Sequence, residues 1–223
     1  MTDHTPAGRR VLVTDFDGTL TRRDFYRLVV ERLLPADTPD YWAEYQAGRL
    51  THFEALNAFF AASRPDAASL VAITGDMGLG PGLRSDVEAL ARRGWDVVVA
   101  SAGCSWYIDR LLAEAGVRLT VHANPGAVES GRLVMRLPTK SPFFSGETGV
   151  EKVAIVRHAL ETAEDVAFAG DGPPDLEPAL LVSAENRFAT GHLADELDRR
   201  GEPFYRFSEW SEVAATLTGR TGP

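Results

Sequence analysis

The sequence predicts an α/β protein with a parallel sheet covered on both faces and a small helical insertion after the first strand. Three observations predict it. Residues 11–13 (Val, Leu, Val) form a short apolar run that stops abruptly at Asp15-Phe16-Asp17-Gly18-Thr19, the pattern of a buried strand with polar groups at its carboxyl end. From residue 83 onward, short apolar runs alternate with helical stretches of roughly 10–15 residues, which is how βαβ units read. Between these two regions, residues 21–80 carry helical patterning and no strand.

The elements follow in order. After the first strand, residues 23–34 present Phe25, Leu28, Val29 and Leu33 on one helical face until Pro35 and Pro39 break it. Residues 40–63 read as helix, with the aromatics Tyr41, Trp42, Tyr45, Phe59 and Phe60 as its core, and 67–73 as a short further helix. The segment GDMGLGPG (75–82) lacks the GxxxxGK[ST] spacing of a nucleotide-binding loop and reads as a hinge. Helix 83–93 ends at Gly94, strand 96–100 follows, and helix 107–115 ends at Gly116. Strand 118–122, a hairpin over 127–137 around Ser130-Gly131, helix 150–162, strand 165–169 and helix 175–182 come next. Strand 187–189, helix 192–200 and strand 204–207 close the pattern. The expected division is a core of 9–20 and 82–218, a helical cap of 21–81, and flexible tails at 1–8 and 219–223.

Composition narrows the function. The 223 residues carry a net charge of −9 with no basic stripe, which argues against a nucleic-acid partner. Residues 1–10 have no apolar leader, and no run reaches the ~18 apolar residues of a membrane span. One cysteine, Cys104, allows no internal disulfide and reads as a buried small residue, so the expected location is cytoplasmic. His4, His52, His122, His158 and His192 show no metal spacing and read as surface or core fillers. Of the 23 basic residues only Lys140 and Lys152 are lysines.

In a parallel sheet, ligands bind at the carboxyl ends of the strands. The first strand delivers Asp15 and Asp17 there, with Gly18 for a sharp turn and Thr19 beside it. The strand over 96–100 delivers Ser101, Ala102 and Gly103, a hydroxyl and amides suited to an anion. The strand over 165–169 delivers Asp171, with Asp175 one turn on, and Lys152 opens the preceding helix. Taken singly these are bland: Asp-x-Asp-Gly makes turns, Ser101 caps a helix, Lys152 is a solvated helix residue. Taken together they suit a phosphate and a Mg2+ ion, a hard cation that prefers carboxylate oxygens.

In this order, Asp15-Phe16-Asp17-Gly18-Thr19, Ser101, Lys152 and Gly170-Asp171-Gly172-Pro173-Pro174-Asp175 resemble the four motifs of the haloacid dehalogenase superfamily. The resemblance spans about residues 9–207, and the insertion between the first two motifs is similar to the phosphoserine phosphatase branch. It implies a Rossmann-like three-layer core with an inserted helical cap, and a Mg2+-dependent phosphatase of a small phosphorylated metabolite. It implies Asp15 as nucleophile and Asp17 as acid and base, with Mg2+ at Asp15, Asp17 (through its carbonyl oxygen) and Asp171. It implies phosphate contacts from Ser101, Ala102, Gly103 and Lys152, and support from Gly18, Thr19 and Asp175. It assigns no oligomeric state.

Residues then discriminate within the superfamily. Dehalogenases lack the acid that Asp17 supplies, and the phosphonate-cleaving branch needs a cap lysine absent from 21–81. P-type ATPases need membrane spans. Phosphoserine phosphatases carry a glutamate where Asp24 stands here, and a cap arginine that 53–58 does not contain. Asp24, the tryptophan-containing cap segment and Arg187-Phe188-Ala189 look like the methionine-salvage phosphatases of 2-hydroxy-3-keto-5-methylthiopentenyl 1-phosphate, although residues 138–149 lack their cysteines. The alternatives on this scaffold are a phosphotransferase and a catalytically retired regulatory or binding protein.

Overall fold

The computed structural model describes residues 8–63 and 67–219. Strand β1 (Arg10–Thr14) leads into helices α1 (Phe25–Arg32), α2 (Tyr41–Gln46), α3 (His52–Ala62) and α4 (Ala67–Gly75). Then come α5 (Leu83–Arg92), β2 (Trp95–Cys104), α6 (Ser105–Glu114) and β3 (Thr120–Asn124). Two hairpins follow, β4 (Gly126–Glu129) with β5 (Arg132–Met135), and β6 (Phe144–Ser145) with β7 (Gly149–Val150). The remainder is α7 (Lys152–Thr162), β8 (Asp165–Gly170), α8 (Leu176–Leu181), β9 (Arg187–Ala189), α9 (Gly191–Arg200), β10 (Tyr205–Arg206) and α10 (Trp210–Gly219).

Six strands form one sheet in the order β10-β9-β8-β1-β2-β3, with every pairing parallel. Side chains alternate across it, as the two-residue period requires. Leu12, Val97 and Val99 join Leu90 of α5, Ile108 of α6 and Val213 of α10 on one face. Val11 and Val13 join Ile155 and Val156 of α7 and Leu193 and Leu197 of α9 on the other. This is the three-layer α/β core expected from the sequence. No helix among the described residues is long and apolar enough to cross a membrane.

The first apolar cluster continues from the sheet into the helical insertion. Phe16, just past β1, belongs to the same cluster as Phe25, Leu28, Phe60, Leu70, Ile73 and Met77. The insertion leaves and returns side by side: Thr21 bridges Leu79, the Arg22 amide donates to the Gly78 carbonyl (3.2 Å) and the Arg23 amide to that of Met77 (3.0 Å). Three of its helices, α1, α2 and α3, begin at side-chain caps. Asp24 accepts from the amides of Tyr26 and Arg27, and Thr51 with Glu54 forms a capping box.

The structure differs from the sequence reading at several places. The helical stretch 40–63 is divided by Gly48 (φ +70°) into α2 and α3. Strand β2 runs to Cys104, because Cys104 pairs with Asn124 after a register shift, and α6 follows at once from Ser105, earlier than the expected 107. The helix expected from 150 begins at Lys152, since Gly149 and Val150 pair with β6. The helix expected from 175 is preceded by a tight turn over Pro173–Asp175. Helix α10 was not anticipated, although Trp210, Val213, Ala214 and Leu217 carry helical spacing. Its Trp210 Nε1 donates to Thr14 Oγ1 (3.2 Å), and it reaches Gly219, so that residue is no flexible tail. The rest of the expected tails, apart from Gly8, lies outside the described residues. The hairpin turn at Ser130-Gly131 has positive φ at both residues (51° and 78°), as a type I′ turn requires.

Arg187 ties the later strands together. Its side chain, 6% exposed, donates to the carbonyls of Ala179, Val182 and Pro203 and to Glu202 (2.9–3.2 Å). Arg187→Met would orphan these acceptors while keeping an apolar stem. We expect urea unfolding to show a loss of about 3 kcal/mol; a loss under roughly 1 kcal/mol would show that water replaces the guanidinium.

Candidate active site

Parallel pairing brings one end of β1, β2 and β8 together. Thr14 lies opposite Val99 on one side and Ala169 on the other, so Asp15, Ser101 and Asp171 all emerge within two residues of that row. The Asp15 amide donates to the Ala169 carbonyl (2.9 Å), holding the first residue past β1 in line with the sheet. The residues then turn: Gly18 has φ +72°, and a Cβ there would lie 2.5 Å from Asp171 Oδ2. Only glycine fits. Thr19 Oγ1 donates to Asp171 Oδ1 (2.9 Å).

Lys152, the first residue of α7 and 5% exposed, lies between two carboxylates. Its Nζ is 2.7 Å from Asp15 Oδ2 and 2.6 Å from Asp175 Oδ1. Burial pulls the ammonium down, but Asp15 and Asp175 outweigh it and hold it above its ordinary value. Asp175 is fully enclosed, and its Oδ2 accepts from the amides of Asp171 (3.1 Å) and Gly172 (2.9 Å). A Cβ on Gly170 would meet the Asp175 carboxyl at 2.6 Å, so that residue has no room for a side chain.

Asp15, Asp171 and Asp175 can each point a carboxylate oxygen to one place, all within 4.8 Å. Burial raises the Asp15 carboxyl well above its usual range, with Asp175 and Asp171 adding to it against Lys152. Burial and Asp175 push Asp171 up to about 7. Asp17 does not join this cluster. The turn after Thr14 ends the strand alternation, and its carboxylate faces the insertion: Oδ1 accepts from the Phe25 amide (2.9 Å) and Oδ2 from the Tyr107 hydroxyl (2.7 Å). Burial and Asp24 push it up to about 8.

Ser101 is not a helix cap, as α6 begins after Cys104. Its Oγ accepts from the Gly103 amide (3.0 Å), so that amide is engaged in this state and the cradle expected over residues 101–103 is folded on itself. Asp24 lines the pocket, while its Oδ1 caps α1.

Asp15, Asp17, Asp24, Ser101, Lys152 and Asp171 line one pocket of about 170 Å³, whereas Gly18, Thr19 and Asp175 lie outside its lining. The far wall comes from the insertion: Tyr26, Arg27, Trp42, His52, Leu56 and Phe60. Sequence reasoning missed Arg27, Tyr107 and Asn124. Asn124 Nδ2 joins the Ala102 and Thr148 carbonyls (2.8 and 2.9 Å), fixing the Ser101 loop from its far side. A polar residue ending β3 was the available signal. Two histidines are not fillers: His52 and His192 line the pocket, and burial, with Lys152 nearby, brings His52 down to about 4, a neutral imidazole. His122 and His158 pack on Phe143; His4 lies outside the described residues.

The family model for haloacid dehalogenase-like hydrolases matches residues 12–180. The 2-hydroxy-3-keto-5-methylthiopentenyl-1-phosphate phosphatase of Brevibacillus brevis is 21% identical over 213 residues, covering 93% of this chain and 94% of that protein. A phosphoserine phosphatase solved as a phospho-aspartyl intermediate analogue superposes with a TM-score of 0.65 at 15% identity, over 94% of this chain and 99% of that one. A phosphoserine phosphohydrolase-like protein from Francisella tularensis gives 0.64 at 18% identity, over 92% and 98%.

Cys104 lies beside this site yet is fully enclosed, and burial pushes its thiol up to about 12. Ellman's reagent at pH 8 is expected to find no reactive thiol in the native protein and one after unfolding in guanidinium. Rapid native labelling would contradict the packing described.

Proposed function

The chain belongs to the haloacid dehalogenase-like hydrolases, and from that premise we propose that it is a Mg2+-dependent phosphomonoester hydrolase. It acts on a small phosphorylated metabolite through an aspartyl-phosphate formed on Asp15. The observation that carries the reading is the meeting of Asp15, Asp171, Ser101 and Lys152 at one sheet end, with Asp17 in the same pocket.

The donor set fits a hard divalent cation. Asp15, Asp171 and Asp175 bring carboxylate oxygens within 4.8 Å of one another, and Lys152 pairs with only two of them, Asp15 and Asp175. Asp15, Asp171 and the Asp17 carbonyl would hold Mg2+. Asp175, with both oxygens engaged, serves as a brace for Lys152 and the Asp171 turn. When bound, the ion supplies positive charge against the repulsion between a carboxylate and a phosphate.

The chain's own residues do the rest. Asp15 attacks phosphorus, a P–O bond forms to its carboxylate, and the ester P–O bond breaks. Asp17, held protonated near neutrality by burial, gives its proton to the leaving oxygen. It then takes a proton from the water that attacks phosphorus, releasing phosphate and restoring Asp15. Lys152 and Ser101 hold the non-bridging oxygens where charge develops, and Ala102 and Gly103 line the same wall.

Within this class the pocket supports an apolar tail beyond the phosphate. Trp42, Leu56 and Phe60 face it, and 53–58 supplies no arginine, Arg27 being the arginine of this wall. The likeness to the Brevibacillus brevis phosphatase points the same way, toward a methylthio-alkyl phosphate. Residues 21–81 would act as the cap that closes over it.

The decisive assay is phosphate release from p-nitrophenyl phosphate and from a panel of small phosphometabolites that includes phosphoserine and the methylthiopentenyl ester. Turnover with Mg2+, its loss in EDTA, and a fall of about a thousandfold or more in kcat for Asp15→Asn are expected. Because the Asn amide oxygen can still accept from Lys152 and Asp175 still pairs the ammonium, the variant should fold normally by circular dichroism. Full turnover by Asp15→Asn would overturn the nucleophile. Transfer of phosphate to added glycerol instead of water would move the protein to the phosphotransferases.

A further inference from the structure

We propose that Tyr107 is a positioning residue for the Asp17 carboxyl, an inference that rests on the hydrolase reading above. Asp17 follows a turn, where a short side chain has several rotamers available. Two donors from different parts of the chain remove that freedom. The Phe25 amide, at the first residue of α1, takes Oδ1, and the Tyr107 hydroxyl, from the first turn of α6, takes Oδ2. Each oxygen keeps a lone pair for the proton that moves to and from the reacting oxygens.

The phenol is built to stay in place. Tyr107 is 1% exposed, its ring stacks on Phe25 at 4.2 Å with the planes 21° apart, and Phe16 lies 6.3 Å away on another side. Gly103 supplies the slot: a Cβ there would sit 1.9 Å from the Tyr107 hydroxyl oxygen and 2.9 Å from Asp17 Oδ2. The residue between Ser101 and α6 thus lacks a side chain where the phenol reaches through to the acid. A tyrosine placed only to fill the core would need neither the slot nor the bond.

Tyr107→Phe keeps the ring and removes the hydroxyl. Its kcat/KM is compared with wild type on p-nitrophenyl phosphate and phenyl phosphate, two esters of similar shape. The first leaving group departs as a stabilised anion, and the second needs the proton from Asp17. The loss on phenyl phosphate should exceed that on p-nitrophenyl phosphate by about tenfold, with competitive inhibition by inorganic phosphate unchanged within about twofold. Tyr107→Leu, which also removes the stack, separates packing from positioning. If Tyr107→Phe matches wild type, or loses equally on both esters, the residue is structural and the proposal fails alone. If wild type releases phosphate from neither ester and from no member of the phosphometabolite panel, the hydrolase reading fails and takes this inference with it.

Discussion

The contact on which the rest depends is the enclosed Lys152 ammonium between Asp15 and Asp175. One cation joins three elements: the residue past β1, the first residue of α7, and the turn that follows β8. A buried ammonium without these partners would be costly, and either carboxylate without the ammonium equally so. Packing alone would bring the strands together. The ion pair orients their ends, and through the Asp175 contacts to the amides of Asp171 and Gly172 it holds the turn after β8 as well.

A second constraint acts from the insertion. The apolar cluster on one face of the sheet passes through Phe16 into Phe25 and Phe60, so the helical block is packed as a continuation of the core rather than as a separate body. Polar ties reinforce it on the far side. Asn57 Oδ1 accepts from the Met135 amide (3.0 Å), and the Phe53 amide donates to the Glu147 carbonyl (2.9 Å). The two hairpins after β3 therefore hold α3 over the pocket. The net charge of −9, unfavourable at long range for an anionic ligand, matters less within this wall, where Lys152 and Arg27 line the cavity.

Much of the site was legible because parallel sheets impose it. Asp15, Ser101 and Asp171 end three apolar runs, and adjacent parallel strands must deliver their ends to one edge. Lys152 was legible through its rarity and its place before β8. What escaped were contacts with no local pattern. Tyr107 reads as an ordinary helix-face aromatic, and nothing within α6 announces a partner 90 residues earlier. Asp17 lies three residues beyond β1, where no strand alternation fixes its side chain, and its orientation is set by Phe25 and Tyr107. Asn124 ends a strand whose boundary was placed two residues early. In each case the deciding interaction was tertiary, and sequence periodicity carries only the local half of it.

The side-by-side exit and return of the insertion at Thr21 and Leu79 has a consequence for exchangeability. A block that departs and rejoins at neighbouring residues can vary in length and content without altering the register of any strand. The pocket wall that the insertion supplies is thereby separable in heredity from the floor that the strand ends supply. The separation has one condition. Phe25 lends its amide to Asp17 and its ring to Tyr107, so any replacement block must begin with a residue that does both.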